Sequence, residues 1–137
     1  MTIKFTNKLQ PNLARADVDQ WRADLLTNAD AALLTNQNHL AVFVMMTCLN
    51  GYFEDPGLGS LAEALMKGPG GAVAVWASSG MTMADEQALM NRELCRQLFA
   101  NRGIALGDAI NRAKAAVSDG DVRRTWILLG DPTMKVR

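Results

Sequence analysis

The chain has 137 residues, of which 49% are hydrophobic and 20% are charged, and its 14 basic and 14 acidic side chains cancel to a formal net charge of zero. This composition is typical of a globular domain and excludes a disordered or fibrous chain. Without net positive charge or a long basic run, the chain lacks the electrostatic attraction on which nucleic-acid and anionic-membrane binding depend, so we expect neither partner.

The first 26 residues carry no clear pattern except a short strand at residues 3–5. We therefore predict one α/β domain over residues 1–137, made of a poorly defined N-terminal segment (1–26) and a folded core (27–137). The core contains three apolar runs without alternation, each followed by turn-forming residues, which is typical of strands buried on both faces. These runs are residues 40–47, 72–77 and 125–129.

Helices are predicted between these strands. Three of them start with the spacing of a capping box, in which a hydroxyl and a carboxylate satisfy the first free backbone N–H groups. The pairs are Thr27 with Asp30, Ser60 with Glu63 and Thr82 with Asp85. The helix after Thr82 extends to about residue 100 with an apolar stripe that includes Met83, and a further helix has a stripe that starts at Leu106. The order predicts an α/β fold of three layers, a mostly parallel sheet flanked by helices.

Cys48 comes at the end of the first apolar run, directly before the turn residues Asn50 and Gly51. In open α/β sheets, ligands bind at the carboxyl ends of the strands. The N–H groups of the following turn can stabilise a thiolate or an oxyanion there. Most free cysteines, however, are small buried apolar side chains, so position alone leaves both interpretations open.

Several sequence blocks between residues 40 and 134 resemble, in the same order, the second half of the peptidase domain of the gingipain-like cysteine peptidases. The blocks are Thr-Cys-Leu-Asn-Gly-Tyr-Phe at 47–53, Ser-Leu-Ala-Glu-Ala-Leu-Met at 60–66, Gly-Ala-Val-Ala-Val at 71–75, Ala-Ser-Ser-Gly at 77–80, Leu-Gly-Asp-Ala at 106–109 and Leu-Gly-Asp-Pro-Thr-Met at 129–134. The resemblance implies a partial caspase-like fold and a truncated peptidase domain. It also implies that Cys48 is the nucleophile of a cysteine–histidine pair that cleaves peptide bonds.

The same resemblance implies a substrate groove beside Cys48. Its lining residues would be Asn50, Gly51, Ser78, Ser79 and Gly80. For the last three residues, a polar turn that leads into the next helix is an equally simple interpretation.

The histidine of the family's catalytic pair is not found at its expected place. The family's pattern is Gly-His-Gly-Ser followed by a tryptophan. When that tryptophan is aligned with Trp21, the Gly-His-Gly-Ser positions fall on residues 14–17, Ala-Arg-Ala-Asp. Arg15 therefore occupies the histidine position, and a guanidinium that stays protonated cannot accept the thiol proton. His39 is the only histidine of the chain, but it precedes Cys48 by the length of a strand, about 30 Å at ~3.3 Å per residue. We expect it to face solvent.

The remaining predictions concern cofactors, cellular location and self-association. It has no metal-ligand spacing and no phosphate-binding fingerprint, so we predict neither a metal nor another cofactor. It has no signal-peptide pattern, which indicates a cytoplasmic protein, whereas the resemblance alone would imply secretion. Strand 40–47 would leave an unpaired apolar edge unless residues 3–5 or a second copy of the chain paired with it, and we predict a homodimer through that edge.

Three functions are compatible with these observations. The first, which we favour because of Arg15, is a catalytically inactive, truncated homologue that serves, if anything, as a binding or self-association module. The second is an active cysteine peptidase or hydrolase that uses Cys48 with a base from a dimer mate or partner chain. The third is a regulator that occupies the position of the missing half of a full-length peptidase.

Overall fold

Within the residues that the structure describes, four strands form one sheet and five helices pack on it. The computed structural model describes residues 3–7, 26–54, 56–57 and 59–136, so Arg15 and Trp21 lie outside the described residues. The strands are β1 (Ile3–Asn7), β2 (Ala41–Met46), β3 (Ala72–Ser78) and β4 (Trp126–Gly130). The helices are α1 (Asn28–Ala32), α2 (Leu61–Lys67), α3 (Ala84–Ala100), α4 (Leu106–Ala115) and α5 (Gly120–Thr125).

The sheet has the order β1-β2-β3-β4, with β1, β2 and β3 parallel and β4 antiparallel to β3. The predicted mostly parallel sheet is thereby confirmed. Of the two partners considered for strand 40–47, the structure supplies β1, whose residues Ile3 to Asn7 pair with Val42 to Met46. A homodimer remains a prediction, but the edge of β2 is already occupied and a second copy would have to use another surface.

The two faces of the sheet carry two separate apolar clusters, because successive side chains of a strand point to opposite faces. Val42, Val44, Ala74 and Trp76 face α3 and α4, where Leu94 is among their buried neighbours. The alternate residues of the same strands form the other cluster with α1 and α2, and these are Ala41, Phe43, Met45, Val75 and Ala77. Burial on both faces explains the continuous apolar runs in the sequence and confirms the three-layer α/β fold.

Two of the three predicted capping boxes are present, those that start α1 at Thr27 and α2 at Ser60. The third is wrong. Met83 is the N-cap of α3, and its side chain makes no capping bond, while the hydroxyl of Thr82 accepts a hydrogen bond from the side-chain amide of Gln87 instead of capping the helix. Met83 is also 67% exposed and does not belong to the buried stripe of the helix.

Helix α5 is not indicated by any pattern in the sequence, because residues 118–120 look like the end of a helix. Asp119 instead caps a new helix: its Oδ1 accepts the N–H groups of Asp121 at 2.7 Å and Val122 at 3.0 Å. The side chain of Val122 is fully buried, which anchors this short helix to the core. Helix α5 leads directly into β4, so its last residue lies beside the carboxyl end of β3. None of the helices within the described residues has both the length and the apolarity needed to cross a membrane.

Candidate active site

Cys48 lies in the turn that follows β2, half-buried, at the end of the sheet where the sequence places it. The next residue, Leu49, has a φ of 63°, a left-handed conformation that costs a non-glycine residue about 1–2 kcal/mol. The carbonyl of Leu49 accepts the N–H of Tyr52 at 3.1 Å. A strained backbone at this point persists only because the surrounding structure holds the turn in shape.

Two backbone hydrogen bonds fix this turn to its neighbours. The N–H of Gly51 donates to the carbonyl of Ser78 at 2.9 Å, and the N–H of Ala62 donates to the carbonyl of Asn50 at 3.0 Å. Gly51 is buried, and a Cβ at this position would lie 3.1 Å from the Cβ of Ala77. The turn therefore packs directly on β3 on one side and on the start of α2 on the other.

Three hydrogen bonds join the sulfur of Cys48 to the segment that follows β3. The backbone N–H of Thr82 and the side-chain amide of Gln87 each donate to Sγ at 3.4 Å, and the thiol donates to the carbonyl of Thr82 at the same distance. Gln87 is only 5% exposed, and its amide also donates to the carbonyl of Thr82 at 2.8 Å. The N–H groups of Thr82 and Gln87 thus face the sulfur and favour a thiolate, while the carbonyl of Thr82 accepts from the thiol form.

These contacts can stabilise charge, but they cannot transfer a proton. An amide N–H and a backbone N–H are donors that stay protonated at neutral pH, and a carbonyl does not become a base there. His39, the only histidine in the sequence, is exposed in the turn that precedes β2 and hydrogen bonds there with Asn36. It therefore lies at the opposite end of β2 from Cys48, as expected, and no imidazole of this chain reaches the sulfur.

The other groove residues predicted from the resemblance lie close to Cys48 in the fold. Ser78 is fully buried, and its hydroxyl donates to the carbonyl of Gly80 at 3.0 Å. Ser79 donates its hydroxyl and its N–H to the carbonyl of Thr125, at 2.9 and 2.8 Å. The two bonds from Ser79 to Thr125 tie the end of β3 to α5. A role for Asn50, Gly51 and the 78–80 loop in lining a substrate groove stays a prediction.

Thr82 and Gln87, whose N–H groups contact the sulfur, were not predicted from the sequence. Thr82 could have been found, since parallel neighbours such as β2 and β3 bring their carboxyl ends together and the residue follows β3 closely. Gln87 could not, because its position depends on where α3 begins, and the predicted capping box at Thr82 put that start in the wrong place.

Large apolar side chains are exposed on both segments that meet at Cys48. They lie in the turn after β2 and on either side of Thr82, and between 40% and 71% of each is exposed: Leu49, Tyr52, Phe53, Met81 and Met83. Exposed apolar side chains that cluster in this way are typical of a binding surface. We call this set the apolar rim.

The second cysteine has a different environment. Cys95 is half-buried on α3, and burial raises the pKa of its thiol above the ordinary value. A raised thiol pKa lowers the thiolate fraction at neutral pH and makes this residue a poor nucleophile. Within the residues that the structure describes, no group of three His, Cys, Asp or Glu side chains could hold a metal ion.

Replacing Gln87 with leucine is expected to slow the alkylation of Cys48 by iodoacetamide about two- to threefold at neutral pH. Losing a hydrogen-bond donor to a thiolate costs on the order of 1 kcal/mol, which lowers the thiolate fraction about fivefold. A more basic thiolate is also a stronger nucleophile, and this offsets part of the loss in rate. Mass spectrometry of the Cys48 peptide measures the rate. Gln97→Leu is the matched control, because Gln97 is equally buried on the same helix but its amide donates to Glu93. An equal effect of both variants would contradict the assignment.

Comparison with known proteins finds a matching family and similar solved structures. Residues 14–137 match peptidase family C25. The fold matches the crystal structure of gingipain R, described as an Arg-specific cysteine proteinase, with a TM-score of 0.67 and 28% identity over 82% of this chain and 29% of that one.

A second solved structure, a complex of the pro- and mature domains of RgpB from Porphyromonas gingivalis, matches with a TM-score of 0.69 and 24% identity over 80% of this chain. At that identity the match supports a shared fold and nothing further. The chain spans 29% of the length of each of these matched chains. Among proteins with curated functions, none matches significantly.

Proposed function

Because the chain belongs to peptidase family C25, we propose that it binds extended peptide segments beside Cys48 without cleaving them by itself. It would be an inactive homologue that keeps the nucleophile position and the adjoining surface of the fold. The proposal rests on the surroundings of Cys48. Thr82 and Gln87 donate hydrogen bonds to its sulfur, whereas the only imidazole of the sequence, that of His39, lies at the far end of β2.

The chemistry of peptide cleavage gives the physical reason. Attack by a thiol on a peptide carbonyl needs a base for the thiol proton and then an acid for the leaving amine. Thr82 and Gln87 offer neither, since both contact the sulfur through amide groups. General acid–base catalysis contributes about 10²–10⁴ to the rate of such reactions, so we expect a peptide bound beside Thr82 and Gln87 to stay intact on the timescale of a normal peptidase.

Support for peptide binding comes from the apolar rim. Burying one large apolar side chain contributes on the order of 1.5–3 kcal/mol, so contact with two or three of them suffices for a weak, specific complex. Met81 and Met83 are the most exposed of the set, at 71% and 67%, and methionine adapts to different partner side chains. A peptide along this surface would pass directly over Thr82 and the sulfur.

The test is the recovery of peptides from a mixture of synthetic decapeptides after gel filtration with the full chain, measured by mass spectrometry. Substituting serine for both methionines (Met81→Ser and Met83→Ser) is expected to reduce the amount of bound peptide at least about fivefold, since it removes two apolar contacts. Phe99→Ser is the matched control, because Phe99 is also 67% exposed but lies on α3 away from the rim. Unchanged recovery with the methionine variants, or an equal loss with Phe99→Ser, would refute the proposed binding surface.

A second candidate function is hydrolysis by Cys48 with a base supplied by a dimer mate or a partner chain. The strained Leu49 and the two donors at the sulfur favour it, since strain and preorganised donors are common in active sites. If a dimer mate supplies the base, the rate of cleavage per chain rises with protein concentration, whereas a chain that only binds peptides gives no such rise.

A further inference from the structure

A cavity of about 440 Å³ lies between α4 and α5 and is lined by Asn111, Lys114, Ala115, Gly120, Arg123 and Arg124. We call it the Lys114 cavity, and none of its residues belongs to the Cys48 turn or the apolar rim. The sequence gives Arg123 and Arg124 only as a short basic pair. The fold adds a third cation, because the last turn of α4 brings Lys114 against α5.

The three cations line one cavity, and carboxylates compensate little of their charge. Lys114 is half-buried, with its Nζ 5.4 Å from the centroid of the Trp76 ring, and burial together with the charge of Arg123 lowers the pKa of its ammonium. Arg124 pairs with Asp121 at 3.2 Å, but both side chains are more than three-quarters exposed, so this pair contributes little. Within the described part of the chain, no carboxylate forms a salt bridge with Lys114 or Arg123.

Both the charge and the size of the cavity suit a negatively charged ligand. Like charges at short range destabilise each other, and a bound anion removes that repulsion. The small residues Ala115 and Gly120 keep the wall open: a Cβ at Gly120 would lie 3.1 Å from Nη2 of Arg124. A volume of this size is in the range of small-molecule sites and is larger than a single inorganic anion needs.

We propose that the Lys114 cavity binds a small molecule with a diphosphate group. Guanidinium groups match phosphate oxygens with paired hydrogen bonds, while the ammonium of Lys114 supplies a point charge and the amide of Asn111 a further donor. Three cations suit the multiple charge of a diphosphate better than a single carboxylate. The chain's zero net charge and the small number of cations at this cavity distinguish the site from the extended basic surface that nucleic acid requires.

The test is calorimetric titration of the full chain with pyrophosphate in the absence of divalent cations. Arg123→Gln and Lys114→Gln are each expected to weaken binding about tenfold, because each removes a charge-assisted contact. Arg102→Gln is the matched control: Arg102 is exposed in the turn before α4, at the other end of that helix, and the substitution changes the net charge equally. It should change the affinity by less than about twofold.

Arg123 is exposed, so its replacement tests the site without a risk to folding. Tighter binding of ADP than of pyrophosphate would support the proposal and identify a nucleotide as the source of the diphosphate, and equal binding would support it with the free anion as the ligand. No binding by the wild type, an equal loss in Arg102→Gln, or equally tight binding of citrate at the same ionic strength would overturn it.

Discussion

Replacing Trp76 with alanine is expected to lower the free energy of unfolding by about 3–5 kcal/mol. The side chain is fully buried in the cluster between the sheet and α3, with its ring centroid 5.4 Å from that of Trp126. Its Nε1 donates to Oδ1 of Asn91 at 3.1 Å. The substitution therefore leaves a cavity, removes an aromatic contact and leaves a buried amide oxygen of Asn91 without its donor.

Chemical denaturation monitored by circular dichroism measures this loss. Since a domain of this size has a total stability of about 5–15 kcal/mol, the variant would be close to unfolding at room temperature. Trp76→Phe keeps the aromatic packing but loses the bond to Asn91, and we expect an intermediate loss of about 1–3 kcal/mol. Phe99→Ala removes an exposed aromatic side chain and should cost less than about 0.5 kcal/mol. A Trp76→Ala variant as stable as Phe99→Ala would contradict the described core.

The layers of the fold could be predicted from the sequence because strands buried on both faces leave a continuous apolar run. The runs around Val42, Val75 and Ile127 became β2, β3 and β4, and the capping boxes at Thr27 and Ser60 marked helices that are present. The antiparallel direction of β4 was not evident, since direction depends on how the chain returns to the sheet. Helix α5 was missed because its single buried anchor, Val122, gives no periodic pattern.

The candidate site was predictable in position but not in detail. Cys48 could be placed at the end of a strand from the apolar run before it and the turn residues after it. The donors from Thr82 and Gln87 depend on tertiary contacts that no local pattern encodes. The same is true of the Lys114 cavity, because its cations come from two helices and the sequence separates them.

We propose that Cys48 of this chain does not cleave peptides by itself, because the only imidazole of the sequence, that of His39, lies at the far end of β2. We therefore expect no cleavage of a protein substrate above the level given by Cys48→Ala. A functional acid–base pair would raise that rate by about 10²–10⁴. The alanine variant is a sound reference, because Cys48 is half-buried in a turn that is held by backbone bonds of Gly51 and Asn50.

The most direct measurement is the number of new amino termini formed in denatured casein by the reduced full chain, counted by mass spectrometry against the Cys48→Ala variant. The same counts from the two proteins, at every protein concentration, are the predicted result. Cleavage by the wild type that disappears in Cys48→Ala would contradict the account. It would mean that the sulfur exchanges its proton either with a group of this chain other than an imidazole or with a group of a second chain.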